Sequence, residues 1–398
     1  MSTVPSRRSR RRSLAADRPA RDIDYSADPR ALVPGNRVEP LVEGGQIFSA
    51  MLAAIDSAQR YVHLETYIFN DDRVGTTFAQ ALVERARAGV AVRVIVDAIG
   101  TWQTSAGFFG DLRDAGVQLH EFSPLVPWRR WGRLWQRDHR KILVVDGRVA
   151  FTGGINIADD YAPRELGGGG WRDTHCRVEG PLVDALEQQF RALWLSEDQP
   201  HYAPYPPPAG RDPAPGRHLA QLVHKDQDRN RTSIRRHYMH AFRSAQQFIY
   251  LANAYFVPDP GIRRALRRAA RRGVRVAVIV PGRGDLRSVE LASQATWSPL
   301  LRSGVEIHQW PETHMHAKHA VIDGVWTVIG SYNLDYQSLL RNLDVVVEVV
   351  DRELGAEMQR GFEADLQGCE RVDLERWRQR SWWQRTMEWI FYRLRRWF

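Results

Sequence analysis

At 398 residues, with 43% hydrophobic and 26% charged residues, the chain has the make-up of a folded protein with room for two ordinary domains. A formal net charge of +9 turns its surface toward polyanions: nucleic acid, anionic lipid or phosphorylated substrates. Two cysteines far apart in sequence, Cys176 and Cys369, exclude a disulfide framework and a zinc motif, and no apolar run reaches the about eighteen residues of a transmembrane helix.

Residues 1–35 read as a disordered basic tail. Arginines crowd Ser6–Arg12, but no apolar stretch follows them, so a secretory signal is not expected and the Arg pairs alone make a poor twin-arginine signal. An internal repeat then begins. Residues 61–96 (YVHLETYIFNDDRVGTTFAQALVERARAGVAVRVIV) and residues 248–280 (FIYLANAYFVPDPGIRRALRRAARRGVRVAVIV) follow one plan. Each is an apolar strand, an Asp-containing break, an amphipathic helix, and a Val-rich strand. That order predicts a βαβ unit in a sheet covered on both faces. The basic stretch Arg263–Arg272 within the second copy is expected to be a solvated helix face.

About forty residues after each Val-rich strand comes a His-x-Lys-x4-Asp phrase. The first runs from His139 through Lys141 to Asp146, the second from His316 through Lys318 to Asp323. On a strand, residues two apart share a face, so each His and Lys is expected to project together. Lysine supplies a compact positive charge for phosphate, and histidine moves protons near neutrality. Downstream lie matched turns, Gly153-Gly154-Ile155-Asn156 and Gly330-Ser331-Tyr332-Asn333, in which Asn156 and Asn333 can hydrogen-bond phosphate oxygens. Asp173 and Asp344 each open an alternating strand and are candidates to hold a histidine Nδ1–H, leaving Nε2 for phosphorus. His314 and His319 flank His316, but a metal site is not expected, because His319 alternates to the other face. The Gly167–Gly170 run lacks a Lys at P-loop spacing and reads as a plain loop.

Residues 200–217 hold seven prolines and read as a semi-rigid linker between an N-terminal half, 36–199, and a C-terminal half, 218–370. Residues 371–398 form a separate tail rich in Trp and Arg. From Trp383 on, helical spacing groups Trp383, Met387, Ile390, Phe391, Leu394, Trp397 and Phe398, with Arg385, Arg395 and Arg396 opposite. A helix packed on the protein's own core is the commoner fate of such a segment. Its aromatic and arginine content points instead to a membrane interface.

Two such sites make chemical sense if they face one another. One imidazole attacks phosphorus and forms a phosphohistidine, and the other protonates the leaving alkoxide and then deprotonates the incoming alcohol or water. The lysines neutralise the equatorial oxygens. No metal and no other cofactor is needed by this scheme.

Duplicated His-x-Lys-x4-Asp motifs, each followed by a Gly-Gly/Ser-x-Asn turn, resemble the phospholipase D superfamily, and within it the bacterial cardiolipin synthases lacking transmembrane helices. The resemblance spans roughly residues 40–366 and includes His63–Phe69, Ala252–Phe256, Arg271–Val274 and Gly330–Asp335. It implies an α/β fold of two similar sandwich lobes related by a pseudo-twofold axis, with one active site at their interface. It also implies His139 as nucleophile, His316 as acid/base, and Lys141, Lys318, Asp146 and Asp323 as the remaining motif positions, the aspartates holding the turns. Ala317 departs from the Gly often found there, with little expected consequence.

The expected activity is a phosphatidyl transfer between phosphatidylglycerol-like lipids, on an anionic membrane surface, peripherally and on the cytoplasmic face. No nucleic-acid partner is expected, and oligomeric state stays open. Rival readings are a phospholipase D that uses water as acceptor, a nuclease, and an inactive lipid- or nucleic-acid-binding scaffold.

Overall fold

The computed structural model describes residues 22–124, 136–196, 199, 202, 205, 210–225, 232–311 and 314–397. In the N-terminal half the strands are β1 (Val33–Val42), β2 (Tyr61–Thr66), β3 (Ala91–Asp97), β4 (Gln118–Phe122), β5 (Ile142–Val145), β6 (Val149–Gly153) and β7 (Thr174–Glu179). In the C-terminal half they are β8 (His218–Lys225), β9 (Phe248–Asn253), β10 (Arg275–Pro281), β11 (Glu306–Trp310), β12 (Lys318–Ile322), β13 (Trp326–Gly330), β14 (Asp344–Val350) and the short β15 (Glu370–Arg371). Among the described residues they form one sheet in the order β15-β11-β10-β9-β12-β13-β14-β8-β1-β7-β6-β5-β2-β3-β4.

The order reads the same from both ends once β15 is set aside. Each half lays three parallel strands beside four antiparallel ones, and the halves join where β1 pairs antiparallel with β8. This is the pseudo-twofold arrangement that the resemblance implied. The predicted βαβ units are β2–β3 and β9–β10, crossed over by the helices Arg73–Arg87 and Pro260–Arg271. Asp72 and Asp259 cap those helices by accepting from Gly75 N and Gly261 N, and Pro260 occupies the first helical turn, where its missing N–H costs nothing.

Each half has its own outer core. The helix Gly44–Asp56 and the crossover helix bury Ile47, Phe48 and Phe78 in one, and the helix Ser233–Ser244 buries Ile234, Tyr238 and Phe242 in the other. A third core is shared. Val144, Cys176 and Leu186 pack there with Val321, Val347 and Phe362, between the helices Leu182–Ser196 and Arg352–Gln367. The halves are therefore joined by a sheet and by common apolar burial, which fixes their relative position.

The N-terminal tail expected over residues 1–35 lies outside the described residues up to 21. From Asp22 on the chain is packed, with Tyr25 buried and its hydroxyl donating to Asp323 at 2.6 Å. The reason is a buried carboxylate with room for one more donor. The Pro-rich stretch is described at 202, 205 and 210–217, where Tyr205 stacks on Tyr61 at 4.2 Å and Arg93 lies 4.0 Å over the Tyr202 ring. At those residues it is laid against the N-terminal half.

The tail helix Trp382–Leu394 departs from the predicted face. Met387, Phe391, Tyr392 and Arg395 turn toward the protein, whereas Trp383, Ile390, Leu394 and Trp397 are exposed. Arg395 is inward because its guanidinium stacks over Tyr392 at 4.1 Å and Tyr336 at 4.8 Å. Arg380 holds the buried Glu388 through two hydrogen bonds, at 2.8 and 3.1 Å. Phe398 lies outside the described residues. No helix among the described residues is long and apolar enough to cross a membrane.

Candidate active site

The motif aspartates set the ends of the strands. Asp146 has φ 54° and Gly147 φ 66°, Asp323 has φ 52° and Gly324 φ 63°. Two successive left-handed residues make the turn that joins β5 to β6 and β12 to β13, which is why the sequence reads Asp-Gly at both places. The Asp146 carboxylate accepts from the backbone N–H of Gln59, Arg60 and Tyr61, each at 2.8 Å. Asp323 accepts in the same way from Gln246, Gln247 and Phe248. Both carboxylates anchor the starts of β2 and β9, and neither lines the cavity described below.

The histidines were expected on strands, but β5 starts at Ile142 and β12 at Lys318. The backbone ahead of each strand is drawn across to the opposite half. His139 N donates to Leu343 O at 3.1 Å, and His316 N donates to Arg172 O at 2.7 Å. This exchange brings each histidine to the other half's aspartate. His139 Nδ1 lies 3.1 Å from Asp344 Oδ1, and His316 Nδ1 lies 2.8 Å from Asp173 Oδ2. Both aspartates are fully buried. With a carboxylate on Nδ1, the proton of a neutral imidazole sits there and Nε2 carries the lone pair.

Lys141 Nζ donates to His139 O at 2.8 Å, and Lys318 Nζ donates to His316 O and approaches His316 Nδ1 at 2.9 Å. Burial, and then the neighbouring Lys318 charge, pull the Lys141 pKa down to about 7; burial pulls Lys318 down to about 8. Two buried lysines, with the Lys318 charge lowering the proton affinity of Lys141, define a place that favours an anion. Burial and then Lys141 lower His139 to about 4, and burial and then Lys318 lower His316 well below the ordinary histidine value. Both shifts favour the neutral imidazole at pH 7.

His139 and His316 line one cavity of about 410 Å³, between the halves. Asn156 and Asn333 line it too. The Asn156 amide donates to Tyr161 Oη at 2.8 Å, whereas Asn333 Oδ1 is buried with no hydrogen-bond partner. Gly153 and Gly154 serve packing: a Cβ on Gly154 would stand 2.2 Å from Asp173 Oδ1. His319 faces away, its Nδ1 3.0 Å from Thr174 Oγ1.

Several wall residues have no signature of their own in the sequence. Tyr67 lies edge-on to His139 at 5.3 Å, Trp171 5.9 Å from the His316 ring, and Tyr161 Oη 3.2 Å from His316 Nδ1. Arg137, two residues before His139, lines the same cavity, and His314, two before His316, lies behind it with its ring 5.9 Å from that of His316. Trp397, from the tail, reaches its wall, with Arg341 5.9 Å from the indole.

The chain matches the family model described as "Cardiolipin synthase, PLD-like domain" over residues 51–194 and 238–366, so the domain is found twice. It is 32% identical over 356 residues to cardiolipin synthase 1 of Bacillus anthracis, covering 87% of this chain and 70% of that one. It is 33% identical over 361 residues to cardiolipin synthase B of Salmonella typhi, covering 88% and 86%. Among solved structures it is similar in fold to a phosphatidylserine synthase of Haemophilus influenzae, with a TM-score of 0.64 at 11% identity, over 90% of this chain and 93% of that one.

Proposed function

The chain belongs to the cardiolipin synthase family with phospholipase D-like domains, and from that premise we propose that it transfers phosphatidyl groups between phosphatidylglycerol-like lipids through a phosphohistidine. One observation carries the reading. Two histidines from opposite halves open on one cavity, each held at Nδ1 by the other half's buried aspartate.

In the first step His139 Nε2 attacks the lipid phosphorus. The N–P bond forms, the P–O bond to the leaving glycerol breaks, and His316 gives the alkoxide its proton. Burial and Lys318 favour neutral His316, and the incoming phosphodiester brings the negative charge that favours its protonated form. In the second step a hydroxyl of another lipid attacks the phosphohistidine. Its proton goes to His316 and the electron pair of the P–N bond returns to His139. Lys141 and Lys318 balance the charge on the equatorial oxygens, and Asn156 and Asn333 offer hydrogen bonds to them.

Water as acceptor would make the same site a hydrolase. Incubation of the purified protein with acyl-labelled phosphatidylglycerol separates the readings: cardiolipin and free glycerol are expected, and phosphatidic acid as the sole product would overturn the transferase assignment.

The site works on lipid, so the protein needs an interface. Exposed Trp382 (75%), Trp383 (60%) and Trp389 (56%) share the tail's outer face with arginines, and Trp397 (65%) links the tail to the cavity wall. Tryptophan with arginine suits the headgroup level of an anionic bilayer, where this helix would dock the protein peripherally. Trp383→Ala with Trp389→Ala should release the protein from sedimenting phosphatidylglycerol vesicles. Unchanged binding would sink this part of the proposal.

A further inference from the structure

The cavity is lined differently at its two ends. Arg137 and Arg341 stand at the His139 end, next to the segment that carries Asp344. Asp160 and Asp285 stand at the His316 end. Asp335 lines the cavity as well, but its carboxylate is taken up as a helix cap, accepting from Ser338 N at 2.7 Å. A cavity meant only for phosphodiesters would not carry two further carboxylates, because each repels the substrate's charge. Carboxylates are acceptors, and what they recognise without repulsion is a group rich in O–H donors.

The Asp285 carboxylate is placed rather than incidental. Tyr255 Oη donates to Asp285 Oδ2 at 2.6 Å and fixes it. Asp285 Oδ1 lies 3.6 Å from His314 Nε2, too far for a hydrogen bond, and that nitrogen is buried without a partner although His314 is only 8% exposed. His314 Nδ1 is tied to Arg283 O at 3.3 Å, so the orphan nitrogen stays aimed at the carboxylate. The Asp160 carboxyl is close enough to feel the Asp285 charge: burial, then the nearby Asp72, and also Asp285 raise its pKa. In the other half, at the same spacing from the cavity asparagine, stands the neutral Gln337.

We propose that Asp160 and Asp285, with His314 Nε2, form a polyol subsite beside His316 that holds the hydroxyl-bearing headgroup, both as it leaves and as the acceptor arrives. The inference rests on the phosphatidyl-transfer reading and adds the alcohol that the site selects. The neighbouring hydroxyls of a glycerol headgroup donate to the two carboxylates. The reacting hydroxyl is thereby left against His316, which takes its proton as the new O–P bond forms and the His139 N–P bond breaks. A monohydroxy alcohol reacts at the same phosphorus but has no second hydroxyl for this grip.

A competition measures the grip independently of how much protein is active. The full-length protein, acyl-labelled phosphatidylglycerol, deuterated glycerol and ethanol are incubated together, and mass spectrometry gives the ratio of deuterated phosphatidylglycerol to phosphatidylethanol. The wild-type protein is expected to favour glycerol. Asp160→Asn and Asp285→Asn are each expected to shift the ratio toward ethanol by about 10-fold, the effect of one hydrogen bond to a charged acceptor. An unchanged ratio in both variants overturns the subsite. Loss of all products in both, together with loss of the phosphohistidine, also overturns it, since the carboxylates would then serve the histidines or the fold. If the wild-type protein forms neither product, the transfer reading itself falls.

Discussion

The two halves share a topology but treat their histidines differently. In the N-terminal half Arg140 is buried between Glu65 at 2.6 Å and Asp138 at 3.1 Å. The matching C-terminal positions are Ala317, Ala252 and Met315, all buried and apolar. The aspartates differ too. Asp344 accepts from Ser331 Oγ at 2.8 Å, whereas Asp173 packs against Gly154, where no side chain fits. Burial raises both carboxyls, but at Asp344 the bond from His139 overcomes it and holds the pKa below the usual value. A duplicated motif therefore sits in two environments, and equal letters need not mean equal duties.

The largest test of that asymmetry removes the imidazoles. His139→Ala is expected to lower kcat by roughly 10⁶-fold, as loss of a nucleophile does. His316→Ala is expected to lose about 10²- to 10⁴-fold with natural lipid. With a p-nitrophenyl phosphodiester, whose leaving group needs no proton, His316→Ala should regain most of its rate in the bond-breaking step and accumulate phosphohistidine, seen as a base-stable, acid-labile label on the protein. Equal loss for both variants on both donors would restore the symmetry.

The buried arginine comes next. Arg140→Ala leaves Glu65 and Asp138 uncompensated, and should destabilise the protein by about 3–5 kcal/mol in denaturant titrations. Copying the other half, with Glu65→Ala, Asp138→Met and Arg140→Ala together, should recover most of that stability, because well-packed apolar groups often replace a buried ion triad without loss. A triple variant as unstable as Arg140→Ala would show that the triad is required here. A smaller effect belongs to the turns. Gly154→Ala pushes on Asp173 and should cost about 100-fold in kcat through misplacement of His316, whereas Ser331→Gly removes one hydrogen bond from Asp344 and should cost about tenfold.

Much of this was legible in the residues. Asp-Gly at 146–147 and 323–324 encodes left-handed turns locally, and the βαβ periodicity encodes the parallel strands, so both could be read without knowing the partner. The duplication of His, Lys and the later Asp marked the residues that meet. What could not be read is that each histidine takes the aspartate of the other half. That pairing depends on the Leu343 and Arg172 carbonyls capturing backbone from across the interface, and no local pattern encodes it. The cavity walls were hidden for the same reason. Asp160, Asp285 and Trp397 lie far apart in sequence and acquire meaning only together. The inward face of the tail helix was hidden because aromatic residues look apolar on a helical wheel, while Phe391 and Tyr392 have their own partners inside.

The smallest effect is the most discriminating between the two lysines. A lysine with a lowered pKa is charged below that value and loses its charge as pH rises through it. Binding of a non-hydrolysable phosphonate analogue of the donor, measured by calorimetry, should therefore weaken in two steps, near pH 7 for Lys141 and near pH 8 for Lys318. Arginine stays charged throughout, so each replacement should erase one step. Lys141→Arg is expected to keep affinity flat until about pH 8, set by Lys318. Lys318→Arg should leave the fall near pH 7 in place, because Lys141 still loses its proton there. If both variants kept both steps, the steps would belong to titrating groups other than Lys141 and Lys318, and the assignment of the phosphate charge to the two lysines would fall.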